Sequence, residues 1–412
     1  MEYRQHRLDN GLEILAECNP QAYTSAFGFF VRTGSRDETA AVGGVSHFLE
    51  HMVFKGTPNR SAAQVNLELD EMGSSSNART SEESTIYHSL VLPEFQTPMV
   101  ELLSDIMRPS LRVDDFEMEK QVIIEEIKMY DDQPPYGGYE RIMREFYGDH
   151  PLGNSVLGTA ETVGALTADQ MMEYFKAQYS PSNICIAAAG KVDFDVLVAD
   201  VQRCCGDWEA FDAVRPSPAP DYQRGFTTMH KPQSSQQYIL QMVPGCATED
   251  ELRYAASIMT SILGDDSGSR LYWEFLDTGL AESAGMGSYD HLGCGGIMTY
   301  LCCSPDSAQA NIERLKALQH KIFDEGITQK ELDLAKRKIA SRIVLASEKT
   351  NTRMFSIGSQ WLSGQKFKTV AQIAEIYESM TLAQVNEAIK AFPLDNNMTV
   401  VVGPKDDLQA VS

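Results

Sequence analysis

The order of apolar and polar positions along the chain separates strand-like runs from helical ones. Short runs that alternate or stay apolar predict strands at 25–32, 84–92, 236–243 and 296–303. Apolar residues spaced three and four apart predict helices at 96–107, 114–130 and 329–347. Because strands and helices are segregated within each half, the pattern favours an α+β fold with mostly antiparallel sheets over a doubly wound parallel sheet.

The clearest interruption of this pattern lies at 212–222, where three prolines fall within five residues. Proline disfavours both helices and central strands, so we predict a stiff linker there. On this interpretation the linker separates an N-terminal domain at 1–211 from a C-terminal domain at 223–412.

The two halves also end in the same way. Thr167 precedes a helical segment, an apolar strand-like run and a glycine, and Thr381 precedes the same succession 214 residues later. A threonine-capped helix that leads into a buried strand at the same place in each half predicts two homologous domains related by internal duplication.

The composition is that of a globular protein with a strongly acidic surface. Hydrophobic residues make up 43% of the chain, and 58 acidic against 35 basic residues give a net charge of −23. That charge repels polyphosphates, so we expect neither nucleic acid nor an anionic membrane as a partner. One interpretation is that the acidic surface keeps the protein soluble. The alternative is that the acidic residues line a chamber that attracts cationic peptides.

Two further expectations concern the compartment. No apolar run approaches the roughly 20 residues needed to cross a bilayer, and the N-terminus reads as a strand followed by an Asn10-Gly11 turn rather than as a leader. We therefore expect a cytoplasmic protein. Eight cysteines without CxxC spacing predict buried free thiols rather than disulfides or cysteine-held zinc.

The candidate chemistry is concentrated in the segment that contains His47, Glu50 and His51. The two histidines are four residues apart, so a helix places both imidazoles on one face, and Ser46 is the predicted helix cap. This HxxEH order is the inverzincin pattern of zinc peptidases. The alternative is a structural pair of histidines, because the pattern also arises by chance.

A catalytic zinc site needs a third protein ligand in addition to two histidines. The helical segment 114–130 supplies four glutamates, Glu117, Glu119, Glu125 and Glu126. Glu119 and Glu126 are seven residues apart and therefore share a helical face. Burying two carboxylates on the apolar side of a helix is costly unless a cation compensates their charge. An acidic helix is more often simply solvated, but this one occurs where a third ligand is required.

These residues resemble the M16 metallopeptidase family, in its bacterial branch, which is similar to the β subunit of the mitochondrial processing peptidase. The resemblance covers nearly the whole chain. It is carried by the segments 34–38, 47–57, 119–134, 157–159 and 268–272.

The resemblance implies a zinc-dependent endopeptidase with His47, His51 and Glu126 as zinc ligands. It implies that Glu50 is the general base that activates the zinc-bound water, and that Glu119 orients the site. The choice of Glu126 over Glu125 rests on this match, and helix geometry agrees with it.

The resemblance further implies that Asn77 and Ala78 lie on an edge strand that binds the substrate backbone. An ordinary turn after 73–76 is the alternative for Asn77. In the second half, Glu282 replaces a tyrosine that bacterial relatives usually carry, and Tyr300 is the candidate for a substrate-binding aromatic residue.

By resemblance, two such chains enclose a chamber for unfolded peptides, and we expect a homodimer that prefers basic peptides. One alternative is a non-enzymatic, structural subunit of a hetero-oligomer. Another is a protease that needs a catalytically silent partner chain, an alternative that Glu282 keeps open.

Overall fold

The computed structural model of the protein describes residues 1–215 and 217–411, so that Pro216 of the predicted linker and Ser412 lie outside the described residues. The chain forms two compact units. Unit 1 comprises Met1–Lys128, Asn154–Pro216 and Leu345–Phe367, and unit 2 comprises Met129–Gly153, Ser217–Val344 and Lys368–Ser412. The division at 212–222 remains a prediction about the two sequence halves, and each compact unit also includes one segment of the other half.

The strands are β1 (Glu2–Arg7), β2 (Glu13–Cys18), β3 (Ser25–Val31), β4 (Ser75–Thr80), β5 (Thr85–Val91), β6 (Ile184–Gly190), β7 (Gly225–His230), β8 (Gln237–Pro244), β9 (Ser283–His291), β10 (Cys294–Cys303) and β11 (Met398–Gly403). The α-helices are α1 (Val45–Val53), α2 (Ala62–Glu71), α3 (Gln96–Ile106), α4 (Val113–Asp131), α5 (Pro134–Tyr147), α6 (Ala160–Ala165), α7 (Ala168–Gln178), α8 (Phe194–Cys205), α9 (Leu252–Gly264), α10 (Ala308–Glu325), α11 (Gln329–Ser347), α12 (Thr350–Leu362), α13 (Val370–Ser379) and α14 (Leu382–Ala391).

Unit 1 is built on a six-stranded sheet with the order β1-β2-β6-β3-β5-β4. Its strand pairs are antiparallel except β2 with β6. All seven residues of β3 are buried, because helices cover both faces of the sheet. Phe27 and Phe29 pack in the cluster that contains Phe48 of α1, whereas Phe30 packs on the opposite face with Met354 of α12.

Unit 2 is built on a five-stranded sheet with the order β7-β11-β8-β10-β9, antiparallel except for β7 with β11. On one face, Phe146 of α5 packs with Leu240 and Val402. On the other face, Ile258 of α9 and Val385 of α14 pack in a separate apolar cluster. The prediction of two α+β units, each a mostly antiparallel sheet with helices packed on it, is confirmed.

The order of elements repeats from one half to the other. Thr167 and Thr381 each accept a hydrogen bond from a backbone N–H three residues later, and so cap α7 and α14. Each of these helices leads into a fully buried strand, β6 or β11. Helices α4 and α11 have the same length of 19 residues. This succession supports the predicted internal duplication.

The structure also bears on the expectations about the cysteines and about membrane-spanning segments. All eight cysteines are free thiols; six are buried, whereas Cys18 and Cys204 are only partly buried. Among the described residues, no helix is both long and apolar enough to cross a membrane.

Candidate metal centre

Helix α1 carries His47, Glu50 and His51, and its start is fixed from outside the helix. The carboxylate of Glu38 accepts hydrogen bonds from the backbone N–H groups of Gly44 and Ser46, each at 2.7 Å. Burial raises the pKa of Glu38 to about 8, although these two N–H donors act in the opposite direction.

The prediction of Ser46 as the helix cap is therefore wrong. Ser46 lies inside α1, whose N-cap is Gly44 at φ +89°, and its hydroxyl is 2.7 Å from the hydroxyl of Tyr174. A Cβ at Gly44 would lie 2.6 Å from the carbonyl oxygen of Leu157. Glycine is required there by this close approach, and Glu38 takes over the capping role that sequence pattern assigned to Ser46.

The donor atoms of His47, His51 and Glu126 converge, all lying within 4.8 Å of one another. Glu126 Oε2 is 3.6 Å from His51 Nε2 and 3.9 Å from His47 Nε2. Ligands at about 2.0–2.2 Å from a tetrahedral ion are themselves roughly 3.3–3.6 Å apart. The three side chains therefore fit a single divalent ion.

Glu119 lies behind His51 on the same face of α4 as Glu126. It is buried, and its Oε1 is 2.9 Å from His51 Nδ1 while its Oε2 is 2.5 Å from Lys55 Nζ. Burial alone would raise the pKa of Glu119, but its hydrogen bonds with His51 and Lys55 outweigh burial and lower it. This carboxylate favours the His51 tautomer with the proton on Nδ1, which leaves the lone pair of Nε2 free to bind a metal ion.

His47 is held differently, with 8% of its surface exposed. Burial, together with the nearby His51, lowers the pKa of His47 to about 3. The imidazole is therefore neutral at physiological pH, which is the form that binds a metal. Its buried Nδ1 has no hydrogen-bond partner within the part of the chain that the structure describes.

Glu50 is held by a strand residue that sequence reasoning did not identify. The hydroxyl of Thr80, the last residue of β4, donates a hydrogen bond of 2.5 Å to Glu50 Oε2. Burial raises the pKa of Glu50, whereas the bond from Thr80 and the proximity of His51 act against that rise. Lys55 was also missed, although it lies in the segment 47–57 that carries the family resemblance.

Asn77 and Ala78 lie in β4, opposite His88 and Tyr87 of β5. The alternative of a turn at Asn77 is therefore wrong. Because β4 is the last strand in the order of the unit 1 sheet, its outer edge has no strand partner among the described residues. Such an edge offers backbone groups to an extended peptide.

Tyr300 lies in the other unit, on β10, and its ring centroid is 6.3 Å from that of Tyr238. Burial raises the pKa of Tyr300 to about 12. Glu282, one residue before β9, accepts a hydrogen bond of 2.5 Å from Gln236 Nε2. The substrate-binding role of Tyr300 stays a prediction.

Comparison with known protein families agrees with the geometry. The model of the insulinase family (peptidase family M16) matches residues 13–160, and the model of the peptidase M16 inactive domain matches residues 165–339. The chain belongs to the M16 peptidase family. The three candidate metal ligands of this M16 chain, His47, His51 and Glu126, all lie within the first of these matches.

Relatives of similar length support the same assignment. An uncharacterized zinc protease of Mycobacterium leprae is 31% identical, over 96% of this chain and 91% of its own. An uncharacterized zinc protease of Bacillus subtilis is 29% identical, over 98% of this chain and 99% of its own. The predicted M16 resemblance is confirmed.

Solved structures show the same fold at lower identity. A protease from Helicobacter pylori superposes with a TM-score of 0.92 at 20% identity, covering 98% of this chain and 99% of its own. A putative M16-like peptidase from Alicyclobacillus acidocaldarius gives a TM-score of 0.86 at 24% identity, covering 97% of this chain and 98% of its own.

Proposed function

We propose that this M16 chain is a zinc-dependent endopeptidase, with His47, His51 and Glu126 as the zinc ligands. The observation that carries the proposal is the convergence of these three donors within 4.8 Å. Two neutral imidazole nitrogens and a carboxylate are the donor set of many catalytic zinc sites. The names of the relatives as zinc proteases support the same metal.

A bound zinc ion supplies a Lewis acid that polarises a peptide carbonyl and acidifies water. The residues of the chain supply the rest of the chemistry. Glu50 accepts the proton of the attacking water and returns it to the leaving amine. Glu119 fixes the ring of His51, and Thr80 holds one oxygen of Glu50, which leaves the other for the proton.

The substrate is a peptide or an unfolded segment that pairs as an extra strand with the outer edge of β4, along Asn77 and Ala78. Pairing of this kind uses backbone groups in the middle of a peptide and does not require a terminus, which favours an endopeptidase. Tyr300 is a further substrate-binding residue in this proposal. In the complete enzyme, two chains form a homodimer that encloses a peptide chamber, and the net charge of −23 favours basic substrates.

The deciding experiment measures metal content by elemental analysis and cleavage of a quenched basic peptide on the same preparation. The proposal expects about one zinc per chain and cleavage that a chelator abolishes and added zinc restores. Absence of both zinc and cleavage after zinc is added back would overturn it.

The second candidate function is that of a structural or catalytically dependent subunit in a hetero-oligomer. Glu282 and the match of 165–339 to an inactive-domain model favour it. Cleavage by the purified chain alone would exclude both forms of this alternative. Zinc without cleavage, reversed by adding a partner chain, would support the catalytically dependent form.

A further inference from the structure

Unit 2 repeats the elements that surround the metal centre, with different side chains. Helix α9, strand β9 and helix α11 occupy the places that α1, β4 and α4 occupy in unit 1, and β9 is likewise the last strand of its sheet. Helices α4 and α11 are equal in length, so Arg342 of α11 stands 13 residues after the helix start, as Glu126 does in α4. At the position of a metal-binding carboxylate, unit 2 therefore has a guanidinium group.

These elements of unit 2 border an open cleft of about 300 Å³. Its lining combines hydroxyl residues of α9 with Asp266, with Arg342 and with the apolar side chains of Met286 and Ile339. A cleft of this size matches a ligand of one or two amino-acid residues, at the lower limit of small-molecule sites.

The charge in the cleft is arranged around Asp265. Its carboxylate accepts hydrogen bonds from Arg342 Nη2 at 2.6 and 2.8 Å and from Lys338 Nζ at 2.9 Å. Lys338 and Arg342 both pair with Asp265, and the further carboxylate of Asp266 makes the formal charges around the cleft balance. Within the described part of the chain, Nε and Nη1 of Arg342 have no hydrogen-bond partner, and its side chain is 56% exposed.

One of the hydroxyl groups that α9 presents to the cleft, that of Ser261, has no hydrogen-bond partner among the described residues. Thr260 donates to the carbonyl oxygen of Ser257, and the Ser257 hydroxyl accepts from Tyr377. By contrast, the Oγ of Ser261 is buried without such a described bond. A buried hydroxyl without a partner is costly, and an acceptor brought by a ligand would relieve that cost.

The geometry also disfavours an extended strand as the ligand at this place. Helix α9 has 13 residues against nine in α1, and its last residue packs on the edge strand. A Cβ on Gly264 would lie only 2.3 Å from the backbone nitrogen of Met286 in β9. The backbone edge of β9 is therefore covered at Met286, which disfavours strand addition at this point and favours a ligand shorter than an extended strand.

We propose that this cleft binds an apolar residue that has a free α-carboxylate, as a free amino acid or at the C-terminus of a short peptide. The carboxylate pairs with Arg342 and accepts from the Ser261 hydroxyl, and the apolar side chain packs on Met286 and Ile339. Asp266 faces an ammonium group when the ligand is a free amino acid. The inference needs no peptidase activity, so it stands or falls independently of the proposed function.

The test is a calorimetric titration of the full chain with leucine, N-acetyl-leucine, alanyl-leucine and leucinamide. We expect saturable binding of the three carboxylates and binding of leucinamide weaker by about tenfold or more, since charged hydrogen bonds are the stronger ones. A preference for leucine would identify the free amino acid, and a preference for alanyl-leucine would identify the peptide end.

Because a metal centre also attracts carboxylates, the titration is repeated on a variant carrying both His47→Ala and His51→Ala. Unchanged binding there supports the cleft in unit 2, and lost binding overturns it. Arg342→Gln should weaken binding about tenfold, whereas Arg337→Gln, an exposed neighbour on α11, should leave it unchanged. Equal binding of leucinamide, or no saturation up to about 10 mM, would also overturn the proposal.

Discussion

The two histidines of the proposed metal centre have different surroundings although they lie on the same face of α1, one turn apart. His51 shares its Nδ1 proton with Glu119, whereas the Nδ1 of His47 is buried without a described partner. The ring of His47 is therefore positioned by packing, and the ring of His51 is positioned by a carboxylate that is itself paired with Lys55. Substitutions behind His51 should thus act on the metal without touching a ligand.

Glu119→Gln should weaken zinc binding by roughly 10–100-fold, because it removes the charge that orients His51 and pairs with Lys55. Competition against a chromophoric chelator measures this affinity. Glu125→Gln is the matched control, since Glu125 lies on the same helix, is exposed and pairs only with Lys128 at 2.7 Å among the described residues. Equal affinities of the two variants would contradict the role of Glu119.

Thr80→Val should lower kcat by about tenfold with zinc content unchanged, because it removes the hydrogen bond that holds Glu50 without removing the base. Thr80→Ser keeps the hydroxyl and should restore most of the activity. Glu50→Gln should have the lowest kcat of the series, because it keeps the zinc ion but removes the base and so abolishes turnover. Metal loss in Glu50→Gln, or a serine variant as poor as the valine variant, would refute these assignments.

At the scale of elements, hydrophobic periodicity predicted helices and strands well. The pattern at 329–347 coincides with α11, and 114–130 differs from α4 by one residue at each end. The shared face of Glu119 and Glu126 followed from the same periodicity. The contacts of Glu38, Lys55 and Thr80 could not be predicted, because each depends on how separate elements pack rather than on spacing within one element.

The segment 268–272, which carries part of the family resemblance, has a structural role in unit 2. Arg270 contacts the Glu331 carboxylate with Nε at 2.8 Å and Nη2 at 3.1 Å, and the N–H of Thr328 donates to it at 2.7 Å. Burial acts to raise the pKa of Glu331, but these donors outweigh it and lower the pKa to about 2. Glu331 therefore joins the start of α11 to the short helical segment that begins at Arg270.

This pairing should make unit 2 sensitive to acid. The folded pKa of about 2 lies below the ordinary value of 4.5, so the contribution to stability is complete above 4.5 and is lost as pH falls towards 2. Glu331→Gln should cost about 1–2 kcal/mol at neutral pH, allowing for partial exposure, and less at pH ~3. Urea unfolding at both pH values measures this, with the exposed Glu348→Gln as control. A cost that does not depend on pH would contradict the argument.

At the scale of the whole molecule, each unit is completed by a helix from the other sequence half. Helix α12 covers one face of the unit 1 sheet, and α5 covers one face of the unit 2 sheet. The duplication was visible in the sequence because helix caps and buried strands recur at fixed spacing. That α12 packs on the unit 1 sheet and α5 on the unit 2 sheet could not be predicted from the sequence, since an apolar helix face does not reveal which sheet it covers.

Residues 1–211 alone should therefore fail to form a native unit 1. Without α12, the sheet face that contains Phe30 loses Met354, Ile357 and Trp361, and the exposed apolar surface favours aggregation. Near-ultraviolet circular dichroism and proteolysis would measure the loss of packing. A peptide of residues 345–367 added in trans should restore protection. A natively packed, monomeric fragment without that peptide would show that α12 is dispensable.

The net charge of −23 leads to a prediction about substrates rather than fold. If the acidic field guides peptides to the edge of β4, kcat/KM for a basic peptide should fall several-fold as salt rises from about 50 to 300 mM, because the screening length shortens from roughly 14 to 6 Å. An acidic peptide of the same length should show the opposite trend, and a neutral one should show little change. The effect should appear in KM and leave kcat nearly constant, since long-range attraction acts on encounter and not on proton transfer at Glu50. Equal salt responses of the three peptides would assign the charge to solubility alone and remove the expected preference for basic substrates.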